Sequence, residues 1–208
     1  MRTETILNNL LKFKQNQDKA IIDNLINDLK IDVKSKDFSS NRTKAEKEAL
    51  KMLTKIKKKN RRPALSYAHV VDGVQYFTDS SIAFALKTHF ELPLIESSNT
   101  GLSYPDIARV IPAIENGQKV DNAKEALEAI LKDLKAKNLE LLDDKIYIAS
   151  LHSKDYTTWF DANYLKTICT ILETTDLDVY LYGELKVALF INNKTGNMAV
   201  ACPIRKYN

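Results

Sequence analysis

Three histidines and two cysteines are the side chains of this 208-residue chain best suited to metal or nucleophilic chemistry. His69, His89 and His152 are scattered, and Cys169 and Cys202 lie far apart with no CxxC pair. No HExxH, cysteine cluster or phosphate-cradling glycine loop occurs, so neither a metal centre nor a cofactor site is expected. His69 alternates within a strand-like run and reads as a structural histidine. Asp143-Asp144 pairs two carboxylates beside the run KIYIAS, where a turn competes with a metal site and is favoured. No nucleophile has a plausible base, so the expectation is a non-enzymatic protein. A nuclease with an unrecognised site is the least favoured alternative. The cysteines read as buried free thiols, which suits a reducing compartment.

Lysines carry the other chemistry. Across residues 44 to 58 each helical step turns about 100°, which gathers Lys44, Lys47, Lys51, Lys55 and Lys58 on a strip roughly 80° wide. Ala45, Ala49, Met52, Leu53 and Ile56 take the opposite face, and Arg61 and Arg62 extend the charge past the helix end. Lysines late in a helix suit its macrodipole, but Lys44 and Lys47 sit in the first turn, where positive charge is unfavourable. Like charges on one strip also repel. A phosphate backbone would relieve both effects, which makes these seven residues candidates for contact with double-stranded DNA; a solvated face is the competing reading.

The elements that would position these residues follow from periodicity. Apolar stripes over 4 to 30 give a helical hairpin, and the polar run 32 to 43 reads as a linker. The expected domains are therefore a helical N-terminal extension, 1 to 40, and a domain from 44 to 208. Thr43 with Glu46 forms a capping-box pattern at the start of the lysine helix. Strand-like runs follow at 64 to 71, 74 to 78 and 81 to 90, the first two joined by Asp72-Gly73, a hairpin signal. Residues 121 to 137 read as a helix capped by Asp121, and 145 to 151 as a strand. From 155 to 205 the order is β-α-β-β-β: TTWF, a helix capped by Asp161, then DVYLY, LKVALFIN and MAVACPIR. Residues 44 to 90 follow a similar α-β-β-β order, and Trp159 reads as core.

Composition sets outer limits. Hydrophobic residues make up 44% and charged residues 28%, enough for a real core, and the net charge of +4 permits nucleic-acid contact without demanding it. No apolar run approaches the roughly 20 residues of a membrane span. The start MRTETILNNLLKFKQNQ is too polar for a secretory signal, so a cytoplasmic location is expected.

Three segments stand in order along the chain: Arg62-Pro63-Ala64-Leu65-Ser66 through Phe77-Thr78-Asp79; Tyr104-Pro105-Asp106 with Arg109-Val110-Ile111-Pro112; and Phe160-Asp161 with Tyr164-Leu165, closed by Val200-Ala201-Cys202-Pro203-Ile204-Arg205. Taken together, they resemble the bacterial DNA sliding clamp, the processivity subunit of the replicative polymerase. The resemblance covers roughly 44 to 208. It implies an α+β, DNA-clamp-like domain of two β-α-β-β-β halves, with the helices side by side. It also implies an apolar pocket for short peptides of polymerases or other replication proteins. On matching positions that pocket would involve Thr78, Pro105, Val110, Val200, Cys202, Pro203, Ile204 and Arg205, with Arg205 at the rim facing an acidic peptide residue. Val200, Cys202 and Ile204 are equally open to reading as strand residues filling a core. The family's usual Gly-His-Arg after Thr-Asp is replaced here by Ser80-Ser81-Ile82, and the length leaves room for about one clamp domain. The expected function is a replication accessory protein, of the compact kind a phage would carry, as a monomer or homodimer. The alternative is a clamp-fold interaction module that modulates replication without binding DNA.

Overall fold

The computed structural model describes residues 42–59, 62–95, 103–143 and 145–206. The expected N-terminal helices, Arg61 and Asp144 lie outside the described residues.

Helix α1 (Lys44–Lys59) starts where the capping-box pattern places it. Thr43 Oγ1 accepts from the Glu46 amide at 3.2 Å, and Glu46 Oε2 accepts from the Thr43 amide at 2.9 Å. Ala45, Ala49, Met52 and Leu53 are buried, and Lys44, Lys47, Lys51, Lys55 and Lys58 are exposed, as the periodicity demands.

The run 64 to 71 departs from expectation. Only β1 (His69–Val71) is strand, because Pro63–Ser66 forms a 3-10 turn. Proline presets φ for a helical first position and offers no donor to a ladder, and Leu65 donates to the Arg62 carbonyl instead. Asp72 and Gly73, at φ 50° and 73°, then make the hairpin to β2 (Val74–Thr78). β3 (Ile82–Leu86) stops short of the expected residue 90, where the Asn197 side chain takes over the Lys87 and Thr88 amides.

A short strand β4 (Gln118–Lys119) precedes α2 (Ala123–Ala136). The expected Asp121 cap is not the one found: Asn122 opens α2 in the left-handed region, with no side-chain cap. A three-stranded meander of β5 (Leu141–Leu142), β6 (Ile146–His152) and β7 (Thr157–Asp161) leads into α3 (Ala162–Ile171). Asp161 caps α3 as expected, accepting from the Asn163 amide at 2.8 Å. β8 (Asp178–Leu181), β9 (Ala188–Asn192) and β10 (Asn197–Ala201) complete the β-α-β-β-β order.

Seven strands form one antiparallel sheet in the order β1-β2-β3-β10-β9-β8-β4, and β5-β6-β7 form a second. β3 and β9 are buried at every position, the mark of strands covered on both faces. On one face Phe77, Phe84 and Phe190 meet the layer in which α1 packs on α3 and α3 on α2, so the two helices expected side by side are neighbours. Phe77 and Phe84, cross-strand partners, stack at 4.9 Å. Burial of each such ring contributes about 1.5–3 kcal/mol. On the other face Ala83, Leu189, Ile191 and Val200 are covered by Ile107, Tyr104 and Ile111 from the segment after residue 103.

Candidate functional site

On that second face the covering segment stops short, and the uncovered sheet floor becomes an apolar cleft of about 560 Å³. Ala83 and Val200, cross-strand partners, form its floor. One wall is the 3-10 turn Pro63–Ser66, through Pro63, Ala64 and Leu65. A second is the turn between β2 and β3, from Thr78 to Ile82. The third carries Pro105, Ile107 and Val110, the last two from a 3-10 turn, Ile107–Val110.

The polar groups of the β2–β3 turn satisfy one another. Thr78 Oγ1 donates to the Ile82 carbonyl at 2.8 Å and accepts from the Ser80 amide at 3.0 Å. Asp79 Oδ1 accepts from the Ser81 and Ile82 amides, both at 2.9 Å. A wall so internally bonded offers little unpaired polarity and suits an apolar guest. Ser80 is held at φ 81°, a left-handed conformation that costs a non-glycine residue energy. Arg62 links two of these walls, its Nη1 donating to Ser80 Oγ at 3.2 Å.

Five residues assigned through the resemblance line this cleft: Thr78, Pro105, Val110, Val200 and Cys202. Pro203, Ile204 and Arg205 do not. The chain leaves β10 at Ala201, where Cys202 donates to the Ser81 carbonyl, and then turns to β7, where the Ile204 amide donates to the Trp159 carbonyl at 2.8 Å. Lys206 completes the departure, pairing with Glu140 at 2.6 Å and lying 4.4 Å from the Trp159 ring centroid. Trp159 is accordingly half-buried, not core. Cys202 is exposed, not buried as expected; Cys169 is buried, and burial pushes its thiol up to about 12. Arg62, read from sequence as an extension of the lysine stripe, lines the cleft. Leu65, Ile107 and Val187 line it as well and were not singled out. Leu65 belongs to the Arg62-Pro63-Ala64-Leu65 motif and could have been found through it; Val187 carried no signal.

The lysine face of α1 is a separate surface. Between residues 42 and 62 the sequence has ten Lys and Arg against two Glu, in a chain whose total is +4, so the remainder is net acidic. Lys51 alone among the stripe is seen paired, with Glu48 at 3.3 Å. Helix α2, on the far side of α3, mixes exposed Glu125 and Glu128 with its lysines.

The histidines serve local structure. His69 packs on Tyr104 at 5.2 Å, His89 Nε2 meets the Gly73 carbonyl at 2.8 Å, and His152 lies between Ser150 and Thr157. Asp143 sits in a turn at φ 50°. Among the described residues no group of three or more His, Cys, Asp or Glu side chains is placed to hold a metal ion, and no helix is long and apolar enough to cross a membrane.

Comparison with solved structures finds this fold in a DNA polymerase sliding clamp from Bacillus subtilis, with a TM-score of 0.54, 14% identity, and coverage of 78% of this chain and 63% of that one. It is also found in the DNA polymerase III subunit beta from Borrelia burgdorferi, in complex with a natural product, with a TM-score of 0.51, 10% identity, and coverage of 79% and 64%. The chain thus spans a little under two thirds of the length of these clamps. No family profile and no curated protein sequence matches it. At these identities the likeness shows the fold: the α+β, clamp-like architecture expected from the three motifs is the one present.

Proposed function

We propose that this chain is a non-enzymatic replication accessory protein that takes a short apolar peptide of a polymerase or other replication protein into the cleft and lays the lysines of α1 along duplex DNA. The cleft carries this reading. It gathers residues from three distant stretches, around 62–65, 78–83 and 103–110, with Val200 and Cys202 at the end of β10, into one concave apolar site. An extended peptide gains most of its affinity from one or two apolar anchors in a largely preformed site of this kind.

The DNA role draws on α1. Four exposed lysines, Lys47, Lys51, Lys55 and Lys58, share one face. Four phosphate contacts correspond to a salt slope of about −4 in log K against log salt. Changing all four to Glu should abolish binding to unrelated duplexes alike; unchanged affinity and slope would remove DNA from the account. The second reading, an interaction module that modulates replication without binding DNA, is favoured by the mixed charge of α2, which leaves α1 as the one strongly basic helix among the described residues. The same titration separates the two. A chain with about one clamp domain is proposed to work as a monomer or homodimer in the cytoplasm, and light scattering showing about six copies would restore a closed ring.

A further inference from the structure

We infer that Arg62 makes the cleft selective for acidic peptides: its partner is a short extended segment with apolar anchors and a carboxylate beside them. This rests on the cleft being a peptide site, and deepens that reading.

Arg62 is the one charged side chain among the residues lining the cleft. Its side chain is exposed, and the hydrogen bond to Ser80 Oγ engages one of five guanidinium donors. The acidic side chains next in sequence to the cleft-lining residues Ser80 and Pro105 are engaged elsewhere. Asp79 Oδ1 is held by two amides of its own turn, and Asp106 pairs with Arg109 at 2.9 Å. No carboxylate among the described residues pairs with Arg62. Its backbone is fixed, since the Arg62 carbonyl accepts the Leu65 amide and Pro63 follows. The guanidinium is therefore a rooted, planar fork at the edge of an apolar floor, a geometry that matches a carboxylate better than any neutral group. A peptide filling the floor displaces water beside the fork and strengthens the pair. Arg205, the cation first expected here, lies off the cleft.

The probes are acetylated, amidated heptapeptides with Leu and Phe in a Gly/Ser background. A Glu is walked through the remaining positions, each peptide matched to its Gln counterpart and titrated against the full chain by fluorescence anisotropy. At one or two positions Glu should improve affinity about fivefold over Gln, the upper end of what an exposed ion pair contributes. Arg62→Gln should remove that preference while leaving the Gln peptides bound, Arg62→Lys should keep part of it, and Lys132→Glu, at an exposed position of α2 away from the cleft lining, should leave it intact. Equal binding of Glu and Gln peptides to the unaltered chain, or a preference that survives Arg62→Gln, overturns the selectivity alone. Failure of every peptide, or Gln-peptide binding indifferent to Val110→Asp at the exposed cleft wall, overturns the cleft reading and the selectivity with it.

Discussion

Val200 stands opposite Ala83 in the ladder between β10 and β3, and both line the cleft. Strand alternation makes this pairing decisive. One residue on, Ala201 faces Ile82 in the helix-side core, so a slip of one position would exchange floor and core. Cys202 continues past the pair, donating to the Ser81 carbonyl, and stands on the cleft wall.

That position gives Cys202 a reporting role. Partial burial and the nearby Asp79 carboxylate both push its thiol above the ordinary cysteine value. The thiolate is the reactive species, so alkylation at neutral pH should be slower than for free cysteine and should accelerate as pH rises through the raised value. Cys169 should react only on unfolding. A saturating apolar heptapeptide should protect Cys202 severalfold in a time course read by mass spectrometry; undiminished labelling would place the peptide elsewhere.

Ser80→Gly should stabilise the fold by about 1 kcal/mol, because glycine adopts the φ of 81° without strain. The lost Arg62–Ser80 bond opposes this only weakly, being exposed. Denaturant midpoints decide it, and a destabilised glycine variant would show that the bond outweighs the strain.

Gly117 sits where a Cβ would meet Tyr182 Cζ at 2.8 Å and Tyr180 Cβ at 2.9 Å. Tyr182 also donates to the Ala113 carbonyl at 3.0 Å, tying the covering segment to the sheet. Gly117→Ala should therefore cost about 1–3 kcal/mol by overpacking, and by loosening the segment that carries Ile107 and Val110 it should weaken peptide binding as well. Stability unchanged in a melting experiment would mean that the tyrosines move aside freely.

Much of this was legible in local chemistry. The Thr43–Glu46 box, the Asp72-Gly73 hairpin, the Asp161 cap and the β-α-β-β-β order from Thr157 are decided by residues within a few positions of one another. What escaped depends on distance or on one overriding residue. Residues 64 to 68 have strand composition, yet Pro63 forces a turn. The tail after Cys202 reads as strand, yet its partner is Trp159, over forty positions away. Arg62 continues a basic run in sequence, while the partner its guanidinium meets at the cleft is Ser80, a contact 18 residues apart.

The capping box offers a test of the helix that presents the lysines. Thr43→Ala should cost about 1 kcal/mol, and Glu46→Ala should add little in the double variant, since the two hydrogen bonds form as a unit. Additive losses by chemical denaturation would show the two caps to be independent.

The most direct measurement is an amide-resolved NMR titration of the full chain with one acetylated, amidated heptapeptide carrying Leu, Phe and Glu. The account predicts saturable shifts concentrated at Leu65, Thr78 to Ala83, Ile107, Val110 and Val200, with the α1 amides at Lys47, Lys51 and Lys55 unmoved. Shifts confined to α1, or none at saturating peptide, would contradict it.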